Sequence, residues 1–219
     1  MARPAIDPLE QLFKAFPALL GRAATLAERK AFGRYADLLI LWNRTHRLTA
    51  FKTRAEIGRG LFLDSLLFRA LLPRAPLRVL DLGAGAGIPG VPLRIVEPGL
   101  SLTLIESRRK PVSFLHALTR ELAMPDVSVH HGRAEGVISE VPELFGKFDV
   151  VLSRAVGLDA GLIVIAMAYL RIGGRLVTSG PPVGSPMPKI KWQGPAEWKT
   201  VGFPKIGLAR AFLVATKLD

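Results

Sequence analysis

The stretch VLDLGAGAGIPGVPL, Val79 to Leu93, sets an acid, Asp81, ahead of glycines at 83, 85, 87 and 90, at the end of what reads as a buried strand. Glycine in such a loop lets the backbone approach a ligand where a Cβ would block it. Two phosphate-binding readings fail on the residue types. A P-loop needs Lys and then Ser or Thr after its last glycine, and Val91 and Pro92 stand there instead. A dinucleotide fingerprint can be drawn through Gly85, Gly87 and Gly90. Pro89 interrupts it, however, and a carboxylate at the loop entrance gains nothing for a pyrophosphate.

The third reading is Asp-x-Gly-x-Gly-x-Gly, through Asp81, Gly83, Gly85 and Gly87. It suits S-adenosylmethionine, which carries an ammonium, a carboxylate and a sulfonium but no phosphate, beside an acid and exposed backbone N–H groups. A purely structural glycine turn is the alternative. Further along, Glu106 ends the next apolar run, where a carboxylate can accept both hydroxyls of a ribose. FDVVLSRAV fits an apolar fourth strand facing a methyl donor, with Arg154 just past its end. LRIGGRLV fits the turn before a fifth strand. No catalytic acid or base is evident, and Arg154 is at most a candidate for positioning. His116, His130 and His131 show no metal-ligand spacing, so no metal is expected. The chain has no cysteine, which excludes disulfides, thiolate zinc sites and a cysteine nucleophile, and fits a reducing compartment.

Elements that could position these residues are legible in the periodicity. Over residues 22–43, Leu26, Phe32, Tyr35, Leu38, Leu39 and Trp42 recur at helical spacing. Thr53 to Glu56, TRAE, is a capping box that opens a second helix ended by Pro73. From Leu77 onward, apolar runs alternate with helical stretches, which predicts βαβ units. EWKTVGF and LARAFLVAT read as a terminal antiparallel hairpin after a Pro- and Gly-rich loop. The expected fold class is therefore α/β: a Rossmann-like, doubly wound, mostly parallel sheet of the class I S-adenosylmethionine-dependent methyltransferase type. Residues 1–75 are expected to form a helical N-terminal cap, and 76–219 the methyltransferase domain.

Charge points to the partner. Thirty Lys and Arg against 18 Asp and Glu give a formal net charge of +12. An excess of that size favours a polyanion, because phosphates exchange condensed counterions for protein cations. The connector RTHRLTAFKTR concentrates it, and Arg44, His46, Arg47, Lys52 and Arg54 are the expected RNA-binding residues, with Arg59 beside them. The N-terminus lacks an apolar signal segment and the apolar runs are too short to span a bilayer, so a cytoplasmic protein without membrane attachment is expected.

Taken together, YADLLILWNRTHRLTA, LDSLL, DLGAGAGIPGVPLRIVEP, ESRRKPVSFL, GRAE and FDVVLSRAV resemble the bacterial guanine-N7 methyltransferases of 16S ribosomal RNA, the glucose-inhibited division protein B (RsmG/GidB) family. The resemblance covers about residues 35–180. It implies S-adenosylmethionine as cofactor, held by Gly83, Ile88, Ala134, Glu135 and Arg154, with Glu106 as ribose acceptor and Asp81, Gly85 and Gly87 completing the loop. It implies 16S RNA of the small ribosomal subunit as partner; a monomer is expected. Two departures bear on the RNA side: Leu61 replaces the family's usual His ahead of Asp64-Ser65-Leu66, and Arg47 replaces Asn before Leu48-Thr49. A methyltransferase of another substrate, or an RNA-binding protein that keeps the fold without transfer activity, are the competing readings. A nicotinamide oxidoreductase is disfavoured by Asp81 and Pro89.

Overall fold

Apolar runs flanked by glycine and proline become strands buried on both faces, and the amphipathic stretches between them become the helices that cover those faces. The computed structural model describes residues 7–74, 76–154, 160–189, 192 and 194–218. Helices α1 (Glu10–Leu20) and α2 (Leu26–His46) come first, then a helical segment in which α3 (Arg54–Ile57) runs through a π-helical stretch (Gly58–Leu63) into α4 (Asp64–Leu66) and a 3₁₀ turn. The expected start of α2 shifts to Leu26 because Thr25 and Glu28 form a reciprocal capping box. The box expected at Thr53 and Glu56 is also present.

The α/β alternation follows: β1 (Leu77–Leu82), α5 (Gly90–Val96), β2 (Leu100–Glu106), α6 (Arg109–Glu121), β3 (Ser128–His131), α7 (Ala134–Glu140), β4 (Phe148–Ser153), α8 (Ala160–Tyr169), β5 (Leu170–Ser179), β6 (Ala196–Phe203) and β7 (Leu208–Thr216). They form one seven-stranded sheet in the order β3-β2-β1-β4-β5-β7-β6. The first five strands pair in parallel, and β7 joins β5 and β6 antiparallel. LRIGGRLV is not a turn before β5 but part of that strand. Gly174 sits where a Cβ would lie 2.9 Å from the carbonyl oxygens of Arg171 and Phe148, beside a shift in the β4–β5 register.

Strand parity sorts the core into two layers. Val79, Leu102, Leu104, Val150 and Leu152 face α1, α2, the 54–71 segment, α5 and α6. Leu80, Leu82, Ile105 and Val151 face α7 and α8. The N-terminal helices thus share a core with the sheet. Phe13, Phe16, Phe32, Phe62 and Tyr35 form a chain of ring contacts between them, and each fully buried ring contributes about 1.5–3 kcal/mol.

Candidate active site

The carboxyl ends of β1, β2 and β3 open onto a cavity of about 370 Å³ on the α7–α8 face, lined by Leu82, Gly83, Ile105, Ser107, Gly132 to Glu135, and residues of α8. That volume lies within the range of small-molecule sites, at the sheet edge where α/β folds bind ligands. Of the residues expected to hold a cofactor, Gly83, Ala134 and Glu135 line it. Tyr169 donates its hydroxyl proton to the Ala134 carbonyl at 2.6 Å and so pins the start of α7. Burial, and secondarily Glu135, push the Tyr169 phenol up to about 12, which keeps it a donor.

Glu106 stands at the end of β2, 4% exposed. Its Oε2 accepts the Gly85 N–H at 2.9 Å and its Oε1 the Arg108 N–H at 2.8 Å. Oε1 also accepts the Arg108 Nε–H at 3.2 Å, so it is Oε2, with Gly85 alone on it, that can shape the glycine loop and still accept a ribose hydroxyl. The loop differs from expectation in one respect: its amides turn inward. Gly83 and Ala84 N–H both donate to the Ile105 carbonyl, and Gly87 and Ile88 N–H to that of Ala84. Gly83, Gly85 and Gly87 all have positive φ, but only Gly83 lines the cavity; a Cβ on Gly87 would lie 2.9 Å from the Tyr35 hydroxyl and the Val91 side chain.

Two expected cofactor residues sit under the loop rather than in the cavity. Ile88 is packed in the core. Asp81 is fully buried: Oδ2 accepts the Gly90 N–H at 2.8 Å, and Oδ1 has no partner among the described residues. A Cβ on Gly90 would meet Asp81 Oδ2 at 2.8 Å, so glycine there is what lets the acid reach the start of α5. Burial raises Asp81 to about 7, against the pull of the Gly90 N–H and Arg154, with Glu106 adding repulsion. Tyr35, fully buried on α2, donates to the Ala86 carbonyl and so clamps the loop from below. Burial, then Asp81, hold that phenol well above its usual range. Nothing in the periodicity distinguishes Tyr35 from a core residue.

Arg154 departs furthest from expectation. One residue past the end of β4, it points to the face opposite the cavity, where Nε donates to Asp64 Oδ2 at 2.8 Å and Nη2 to the Gly60 carbonyl at 3.0 Å. Arg210 Nε donates to the other oxygen of Asp64. Asp64 and Ser65 are both buried. The structure gives Asp64 two arginines, and Ser65 the Leu61 carbonyl at 2.7 Å.

Arg44, Arg47 and Lys52 line a surface concavity of about 760 Å³ with Asn43 and Thr49. Asn43, overlooked in the sequence, holds this loop: its Nδ2 donates to the carbonyls of Thr49 and Phe51, and its Oδ1 accepts the Thr49 N–H. The His46 ring lies 5.0 Å from that of Trp42, tilted by 41°, and Trp42 itself packs against Phe114. Arg54 does not line that concavity. Its Nε donates to Asp37 at 2.8 Å and its Nη1 lies 3.6 Å from Asp7, so its charge is already engaged.

The fold is that of class I S-adenosylmethionine-dependent methyltransferases. The sheet matches that of an O-methyltransferase from Bacillus cereus solved in complex with SAH, with a TM-score of 0.59 at 14% identity, over 95% of this chain and 99% of that one. It also matches a predicted O-methyltransferase from Agrobacterium tumefaciens, with a TM-score of 0.52 at 22% identity, over 70% of this chain and 79% of that one. These likenesses speak to the fold. Residues 28–179 match the rRNA small subunit methyltransferase G (GidB) family. Ribosomal RNA small subunit methyltransferase G of Streptococcus equi subsp. zooepidemicus is 39% identical over 159 residues, 72% of this chain and 67% of the relative. Its namesake from Streptococcus pyogenes is 37% identical over the same coverage. The chain belongs to this family.

Proposed function

We propose that the protein methylates N7 of a guanine in 16S ribosomal RNA of the small subunit, with S-adenosylmethionine as methyl donor. The observation that carries this is the cavity bounded by Gly83, Ala134 and Glu135 beside Glu106, in a chain of the small-subunit rRNA methyltransferase family. When bound, S-adenosylmethionine supplies a methyl group on positively charged sulfur. Glu106 would accept the ribose hydroxyls, Ala134 and Glu135 would border the adenine, and Gly83, Gly85 and Gly87 would give close backbone approach. Asp81 and Tyr35 would hold the loop from beneath, and Ile88 would anchor it in the core. Guanine N7 already carries an in-plane lone pair, so the residues need only align it and no general base is required.

Residues 1–75 would serve as a helical cap over the domain of residues 76–219, presenting Arg44, His46, Arg47 and Lys52 to RNA phosphates. Arg54, neutralised by Asp37 and Asp7, would contribute little. The protein would act as a monomer in the cytoplasm. Among the described residues, no helix is long and apolar enough to cross a membrane.

The test is transfer of tritiated methyl groups to small ribosomal subunits from cells lacking this protein, followed by nucleoside analysis of the 16S RNA. The expected product is 7-methylguanosine. Label on an exocyclic nitrogen, a carbon or a ribose oxygen would refute the substrate atom, and no transfer to RNA at all would refute the RNA reading.

A further inference from the structure

The sheet edge beside the cavity carries two arginines that do not line it. Arg154 follows Ser153, whose register partner on β1 is Leu82, the neighbour of cavity-lining Gly83. Arg210 precedes Ala211, whose carbonyl accepts the Gly180 N–H at 2.8 Å just past the end of β5. Both guanidiniums therefore stand at the carboxyl edge of the sheet, on the face covered by the 54–71 segment, and both hold the one carboxylate of Asp64.

Two cations on one anion leave one positive charge in excess. Asp64 has only 9% of its side chain exposed, against 19% for Arg154 and 30% for Arg210. Neutralising Asp64 needs one arginine. The second, Arg210 at 30% exposure, satisfies the other Asp64 oxygen but brings a charge beyond what one carboxylate cancels. Asp81 feels Arg154 through space, but burial keeps it substantially protonated near neutral pH and so a weak counter-charge. A guanidinium carries five N–H donors. Asp64 and Gly60 take two from Arg154, and Asp64 takes one from Arg210. Paired planar donor forks with excess charge are the arrangement that receives a phosphate group.

We propose that Arg154 and Arg210, oriented by Asp64, form a binding site for one phosphate of the RNA strand that carries the target base, with Asp64 as the positioning residue. The inference rests on the RNA methyltransferase reading. It assigns a ligand to Arg210, which lies beyond the residues matched by the family.

The test compares the full-length protein with Arg210→Gln and Arg210→Lys. It measures affinity for unmethylated 16S RNA against potassium chloride concentration, KM and kcat on small subunits, S-adenosylmethionine affinity by calorimetry, and thermal melting. Arg210→Gln should lower the slope of log K against log salt by about 0.7–0.9, the loss of one phosphate contact, and raise the RNA KM. S-adenosylmethionine affinity should not change. Arg210→Lys, which keeps the charge and an ion pair to Asp64, should restore the slope while kcat/KM stays down by about tenfold, because the fork is lost. A folded Arg210→Gln protein with the original slope and RNA KM overturns the proposal, whatever its melting temperature, since a merely structural ion pair would move only the latter. Should the Gln variant not fold, unchanged kcat/KM in Arg210→Lys overturns it alone. If these variants behave like the unaltered protein while that protein methylates RNA, only the phosphate site falls. If the unaltered protein binds S-adenosylmethionine but neither binds nor methylates RNA, both readings fall.

Discussion

The two faces of the sheet differ sharply at its carboxyl edge. On the α7–α8 face the edge is open and lined mainly by backbone and small or apolar residues, with the carboxylate of Glu106 turned back to hold the glycine loop. On the opposite face the edge is filled: Asp81, Tyr35, Asp64, Arg154 and Arg210 are engaged with one another or with the loops above them. Room for a ligand and the means of orienting it are thus divided between faces. A loop whose own amides are used inward depends on that filled face for its shape, because burial makes each polar contact beneath it costly to lose.

Breaking the filled face at its charge cluster should have the largest effect. Asp64→Ala leaves two guanidiniums without their shared anion, and about 3 kcal/mol of stability should go, the lower end for a broken buried pair because both arginines can turn toward water. Urea denaturation measures it. A loss below about 0.5 kcal/mol, the level of an ordinary surface substitution, would mean that Asp64 contributes nothing to holding this face together.

Asp81 gives the comparison a pH signature. Its acidity is shifted from 3.8 to about 7 by burial, so the folded protein holds this proton more tightly than the unfolded chain. Its contribution to stability is therefore greatest below about pH 4 and is lost as pH rises through 7, with a slope of up to about 1.4 kcal/mol per unit in between. Asp81→Asn should remove that slope. Denaturation curves across the window that decline equally in both proteins would place the titration elsewhere.

A smaller change sharpens how the filled face reaches the open one. Tyr35→Phe keeps the ring and deletes the donor to the Ala86 carbonyl. It should cost about 1–3 kcal/mol of stability and weaken S-adenosylmethionine binding, although Tyr35 does not line the cavity. Calorimetry showing full affinity in the variant would make the loop self-supporting.

The least effect belongs to the basic rim, away from both faces. Arg47 caps α2 with φ at 49°, a left-handed conformation that asparagine tolerates better than arginine. Arg47→Asn should raise stability by about 1 kcal/mol while weakening RNA binding. A melting temperature that falls would contradict the strain argument.

Much of this was legible beforehand, for reasons that differ by residue. The capping box at Thr53 and Glu56, the β6–β7 hairpin and the βαβ order are local patterns whose periods survive without tertiary context. The glycine loop was located for the same reason. Its inward-turned amides were not foreseen, because whether an N–H is free depends on Ile105 and Glu106 from the neighbouring strand. Gly173 and Gly174 look like a turn in sequence, yet the Lys217 carbonyl accepting the Gly173 N–H makes them part of a continuing strand.

The chain order of residue types thus pointed to the class of ligand: an acid, spaced glycines and a downstream carboxylate suit S-adenosylmethionine better than a phosphate, and the family resemblance implies the same cofactor. Only the tertiary structure decided which charges are available. Arg54 and Arg154 look alike in sequence as basic residues near a site, but one meets Asp37 and Asp7, and the other shares Asp64 with an arginine 146 residues from that acid. Coulomb interactions depend on distance through space rather than along the chain, so pairing is settled when the sheet brings these segments to a common edge.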